Sequence, residues 1–266
     1  MHPFDIAMAL TPVGDDRFHG ATSPAYANMV GPFGGTTGAV LLNAALLHPA
    51  RLGEPIALTI NFASALADGA FEIEACPVRT NRSTQHWTLR QTQGGEVTTT
   101  GTAVFAVRRP TWSAPEAIAP DGLPGPDALP RAPGRLPWVA NYDMRFAHGS
   151  PLAAHDGPER PDSENAVWLR DEPPRPLDFA SLAALCDCFF PRVYLRRGKI
   201  APIGTVSMTT YFHADAAMLA AQGARSLLGT ARGVNFRNGY YDQSAELWND
   251  ARQQLASTHQ MVYYRD

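Results

Sequence analysis

The sequence predicts an α+β fold: one helix followed by a multi-stranded antiparallel sheet, twice over, with the two sheets joined into one extended surface. Three observations carry this reading. Two helix-like apolar runs, GGTTGAVLLNAALLHP and DFASLAALCDCFFPRVY, each precede four strand-like runs. A Pro- and Ala-rich stretch separates the two groups. The order of elements is the same on both sides of it.

In the first group, apolar residues are spaced to fill one side of a helix that Gly34 and Gly35 open and Pro49 stops. The strand-like runs ALTINFASAL, AFEIEACPVR, STQHWTLRQTQ and EVTTTGTAVFAVRR follow, with DG and GG marking turns. In the second group, Asp178 is the N-cap candidate of a helix-like run that ends near Pro191. TVSMTTYFHA, SLLGTARGVNFR, YYDQSAELWN and QLASTHQMVYYR are its strands, and ALTINFA answers to SMTTYFH by position. Residues 110–137 have few hydrophobic anchors and no usable period, so they read as an extended connector. The expected organisation is a first repeat at 1–110, a connector at 111–137 and a second repeat at 138–266, with a further loop, HGSPLAAHDGPERPDSEN, at 148–165.

Composition narrows the function classes. With 266 residues, 45% of them hydrophobic, the chain can bury one large core or two packed halves. A net charge of -3, with no basic run longer than RVYLRRGK, argues against nucleic acid as a partner. No window approaches a membrane span and MHPFDIAMALTP lacks a basic leader, so a cytoplasmic protein is the expectation. The three cysteines give no disulfide framework. On a helix Cys186 and Cys188 would point about 200° apart, and no nearby His completes a tetrahedral site, so no metal is expected.

The residue that demands a reason is Asp187, a lone acid inside SLAALCDCFF. A charge at such a position costs several kcal/mol unless it is paired, hydrogen-bonded or protonated. Desolvation raises the pKa of such a carboxyl toward the range useful for a base. In the last run, alternation puts Ala256, Thr258, Gln260 and Val262 on one face and His259 on the other. An inward-facing amide is unusual, and the same argument turns His259 away. His213 and His86 stand at no spacing that forms a metal or base cluster.

Taken together these segments resemble the double-hotdog acyl-CoA thioesterases, the TesB-like branch of the thioesterase superfamily. The likeness rests on FGG at 33–35, NFASALADG at 61–69, TAVFAVRR, LCDCFFP, IGTVSMTTYFH and LASTHQ, and spans nearly all of the chain outside the connector. It implies a double hotdog that hydrolyses acyl-CoA to free acid and CoA, with Asp187, Thr205 and Gln260 positioning the attacking water. Ser207 and Met208 depart from the Asp-His pair often found after the Thr in that family. The trio suits the chemistry independently: Thr205 and Gln260 can share one water with a carboxylate, and the chain has no G-x-S-x-G elbow. If Gly35, Pro55 and Ala103 answer to Asp187, Thr205 and Gln260, each chain has one site.

No separate cofactor is expected, and the partner is an acyl-CoA or related thioester. Gly34 and Gly35 would allow close backbone approach at a helix start. Arg196 and Arg197, with Lys199, Arg232 and Arg237 as further candidates, would meet phosphates. Phe190 and Tyr211, with Phe189 and Phe212, would line an acyl slot. A homo-oligomer is compatible with this architecture. The competing readings are a hotdog-fold hydratase or dehydratase and a non-catalytic acyl-thioester binding or scaffold protein.

Overall fold

The computed structural model describes residues 1–151 and 157–265, so part of the loop at 148–165 lies outside the described residues. The first repeat opens with α1 (Pro3–Ala7), β1 (Thr11–Pro12) and β2 (Arg17–Ala21). The helix α2 (Gly34–Leu47) precedes β3 (Glu54–Phe62), β4 (Ala70–Thr80), β5 (Thr84–Gln93) and β6 (Glu96–Ala106). After α3 (Pro137–Ala140), the second repeat runs through β7 (Tyr142–His148), β8 (Asn165–Asp171), α4 (Phe179–Leu185) and α5 (Arg192–Arg197). It ends with β9 (Ile203–Phe212), α6 (Ala216–Gln222), β10 (Leu227–Arg232), β11 (Phe236–Arg237), β12 (Tyr240–Trp248) and β13 (Gln254–Tyr264). Among the described residues no helix is long and apolar enough to cross a membrane.

All of these strands form one antiparallel sheet in the order β1-β2-β4-β5-β6-β3-β9-β13-β12-β10-β8-β7, with β11 paired to β12. The halves meet where β3 pairs with β9, Thr59 opposite Thr209, and the two hydroxyls lie 3.1 Å apart. Thr59 and Thr209 mark a local twofold: it carries Pro55 onto Thr205, and Ala103, opposite Leu58, onto Gln260, opposite Met208. Each repeat has a bulge at the matching place, between Pro55 and Ala57 and between Thr205 and Ser207. The first-half strand correspondences expected from sequence order are therefore reproduced by the hydrogen-bond register.

Two helices differ from the sequence expectation. Nearly every residue of α2 from Gly35 to Ala45 is buried, on all sides, because sheet and α4 enclose it. The second helix-like run is two helices: α4 ends at Leu185, and α5 begins only after Pro191. Pro191 has no N–H to return to the Asp187 carbonyl, and its ring would clash there. The final turn of α4 tightens instead, with Asp187 N bonded to Ala184 O and Cys188 N to Leu185 O, both 3.1 Å. Asp178 does cap α4, accepting from Ser181 N at 2.8 Å.

β1, β2, β7 and β8 have no counterpart in the sequence expectation. β1 and β2 are short, β8 is buried on most positions, and neither β7 nor β8 shows clean alternation. The residues before α4 thus extend the sheet rather than forming loop alone.

α2 and α4 pack against each other through glycine. A Cβ on Gly35 would stand 2.6 Å from the Ala184 carbonyl oxygen, which cannot move without unwinding α4. Gly35→Ala is expected to cost about 1–3 kcal/mol from overpacking. Gly125→Ala, where a Cβ meets nothing within 4 Å, is expected to stay within about 0.5 kcal/mol of the parent. Urea unfolding of the two variants measures the difference.

Candidate active site

The break after α4 places Asp187 beside the start of α2. A Cβ on Gly34 would lie 2.9 Å from Asp187 Oδ2, so only glycine lets the helix start approach this closely. The N-cap residue of α2 is Phe33, which has no side-chain acceptor, and the Thr36 hydroxyl is turned back to the Phe33 carbonyl at 2.8 Å. The first-turn N–H groups are left for other partners, and the Gly35 N–H is directed at Asp187.

Gln260, buried on β13, donates Nε2–H to Asp187 Oδ1 at 2.7 Å. The same nitrogen lies 3.4 Å from Met208 Sδ, on the residue directly opposite in β9. Thr205 reaches the same face through the bulge. Regular alternation from Met208 would bring Val206 inward, but the register pairs Ser207 with Met261 and then Thr205 with Val262. Among the described residues the Thr205 hydroxyl has no hydrogen-bond partner.

Asp187 is half-buried. Burial pushes its pKa up to about 7, and the hydrogen bonds from Gln260 and the Gly35 N–H act in the opposite direction. The flanking thiols do not compete. Burial pushes Cys186 and Cys188 well above the ordinary thiol range, and Cys188 Sγ points back to Ala184 O at 3.7 Å. Among the described residues no group of three or more His, Cys, Asp and Glu side chains is arranged to hold a metal ion.

Other residues singled out from the sequence lie around this centre to different degrees. Phe190 is half-buried between Trp138 and Phe146, at ring distances of 6.2 and 5.8 Å. Its carbonyl accepts from Arg192 Nε at 3.0 Å, which ties down the segment after Asp187. Arg196 and Arg197 line an open cleft of about 680 Å³ with Arg232 and Tyr264. Arg196 is engaged by Glu159 at 3.9 Å and by the Arg160 carbonyl. Tyr211 is not brought to the site: with Met208, Thr210 and Phe212 turned inward, it stands exposed on the outer face. His259 is exposed and bonds Ser244 at 2.9 Å, and His213 bonds Ser257 at 2.9 Å, both away from Asp187.

One residue of the site escaped the sequence reading. Gln243 on β12 is directly opposite Gln260 and is 2% exposed. Alternation in YYDQSAELWN would have marked it as inward with Tyr241 and Ala245, but only the register of β12 against β13 puts it beside Gln260.

Residues 23–106 match the family model described as the acyl-CoA thioesterase N-terminal domain, and residues 115–264 match that of the C-terminal domain. The chain belongs to the acyl-CoA thioesterase family. Its fold and full length are shared with a hot dog-fold protein of unknown function from Alicyclobacillus acidocaldarius, at 51% identity and TM-score 0.94, over 100% of this chain and 99% of that one. The tesB protein of Mycobacterium avium subs paratuberculosis is similar at 17% identity and TM-score 0.82, over 99% and 100% of the two chains. Acyl-CoA thioesterase II TesB2 from Mycobacterium marinum is similar at 18% identity and TM-score 0.76, over 98% of each chain. These two likenesses concern the fold. Among curated proteins none matches the chain. The double-hotdog architecture and membership of a thioesterase family are thus in place.

The raised pKa of Asp187 has a consequence for stability. Burial moves the carboxyl from its ordinary value of 3.8 to about 7 on folding. A folded state that holds a proton more tightly gains stability that is full below about pH 4 and lost as pH rises through about 7. Asp187→Asn removes that loss. The variant should match the parent near pH 4 and exceed it by on the order of 4 kcal/mol near pH 8, as compared by urea unfolding. Asp171, also buried and pushed up to about 6, gives the parent a similar slope, which cancels in the difference.

Proposed function

We propose that the chain hydrolyses the thioester of an acyl-CoA to the free acid and CoA by attack of a water held by Asp187, Thr205 and Gln260. The observation that carries this reading is the 2.7 Å hydrogen bond between Gln260 and Asp187 at the uncapped start of α2. Both hydrogens of Gln260 Nε2 have acceptors, Asp187 Oδ1 and Met208 Sδ. Its carbonyl Oε1 is left to accept one hydrogen of the water, and Asp187 accepts the other. The Thr205 hydroxyl donates to one lone pair of that water, so the second lone pair faces the thioester carbon.

The water oxygen bonds to that carbon as its proton passes to Asp187. Collapse of the tetrahedral intermediate then breaks the C–S bond, and the departing CoA thiolate takes the proton from Asp187. A base with a pKa of about 7 is half ionised at neutral pH and returns its proton readily. Gly34 and Gly35 allow the substrate to approach the helix start, whose dipole favours the negative oxygen. Phe190 borders the segment that carries Asp187, and Arg196 and Arg197 remain the candidates for the CoA phosphates.

Incubation with acyl-CoA and detection of free thiol separates hydrolysis from hydration of the acyl chain and from binding without turnover. Asp187→Asn is expected to lower turnover by about 10²-fold or more, and Thr205→Ala and Gln260→Ala by less. The parent rate should rise with pH through about 7. In Gln260→Ala the midpoint should move upward, because the lost hydrogen bond is one that lowers the Asp187 pKa. Near-normal turnover by folded Asp187→Asn protein would remove Asp187 from the chemistry.

A further inference from the structure

We infer that Gln243 is a second catalytic amide, whose Nε2–H groups bind the thioester carbonyl oxygen and stabilise the oxyanion that forms there. The inference rests on the water-attack reading above. It starts from a shortage of donors: both N–H groups of Gln260 are engaged, by Asp187 at 2.7 Å and Met208 at 3.4 Å. Gln260 can therefore hold the water through its carbonyl but has no N–H left for a developing negative oxygen.

Gln243 has what Gln260 lacks. It pairs directly with Gln260 across β12 and β13, where side chains on one face stand about 5 Å apart at Cβ. Only 2% of the residue is exposed, yet among the described residues its amide makes no hydrogen bond. An amide held in this nearly buried place without a protein partner is left to bond a group that enters beside it, as a substrate carbonyl would. The local strand pattern sets no β10 side chain beside it. β10 stops at Arg232, opposite Ser244, so no β10 residue stands against Gln243 on its other side. The Gly35 N–H is directed at Asp187, and Gln243 is the side-chain amide that stands directly opposite Gln260.

Charge development during the reaction favours the same assignment. As water adds to the carbonyl, negative charge accumulates on its oxygen, and a preorganised N–H in a water-poor site interacts more strongly with that oxygen than with the ground-state carbonyl. Gln243 would thus act mainly on kcat. It is not among the groups that shift the Asp187 pKa, so it would act independently of the base.

The test is steady-state hydrolysis of an acyl-CoA by the parent, Gln243→Leu and Gln243→Met, with pH profiles and thermal unfolding of each. Leu removes the donors, and Met does so while keeping the straight chain, which controls for packing. Both variants are expected to lose kcat by about 10²-fold, with KM little changed, the pH midpoint still near 7 and stability equal to or above that of the parent. Undiminished kcat in either folded variant would overturn the role of Gln243 alone. So would a pH midpoint that moves with the rate, since that would make Gln243 a modifier of Asp187. A parent that releases no thiol from acyl-CoA would overturn the water-attack reading and this inference with it.

Discussion

The pairing of β3 with β9 is the constraint on which the rest of the molecule depends. It removes an exposed edge from each half-sheet and makes one continuous surface. Because the seam has a local twofold at Thr59 and Thr209, the helices of both halves come to the same face and meet. Their contact is tight only because Gly35 carries no Cβ against the Ala184 carbonyl. Asp187, three residues beyond Ala184, is delivered to the start of α2, and Gln260 lies on the strand next to the seam strand β9. The place where Asp187 meets Gln260 is therefore made jointly by the two halves, although Asp187, Thr205 and Gln260 all come from the second.

The twofold also shows where the halves diverge. The positions of Thr205 and Gln260 are occupied in the first half by Pro55 and Ala103, which offer neither a hydroxyl nor an amide. The shared fold is thus kept with one equipped centre. The bulge is shared, yet only in the second half does it turn a hydroxyl inward, at Thr205. At the equipped centre, burial of Asp187 is opposed by one amide and one backbone N–H, and the balance holds the carboxyl near neutrality. A stronger set of donors would lower that pKa.

The segment after Asp187 is fixed by a charge of its own. Arg192 is fully buried and among the described residues has no carboxylate partner; it bonds the Phe190 and Ser163 carbonyls at 3.0 Å and Asn165 Oδ1 at 2.9 Å. Burial lowers its pKa to about 9, which still leaves it charged at neutral pH. A guanidinium spread over several neutral acceptors ties the break between α4 and α5 to β8. Asp187 is thereby held from both sides, by the helix before it and by this anchor after it.

Periodicity and turn residues were enough to place α2, the four strands after it and their second-half counterparts, because each has an apolar pattern bounded by Gly or Pro. The lone acid in SLAALCDCFF and the inward amide in LASTHQ were visible for the same reason: each breaks a local apolar pattern. Alternation alone set Gln260 apart from His259. The sequence did not reveal that α4 ends before Asp187, since apolar character continues through Phe190 while the hydrogen bonds do not. Nor did it reveal β7 and β8, which show no clean alternation to read. Tyr211 and Gln243 were decided by tertiary structure. A residue's face is set by strand register and bulges, and its neighbours by which strands pair, and both depend on contacts between segments far apart in the chain. By itself the sequence determined which residues could carry the chemistry; only the folded sheet determined which of them meet.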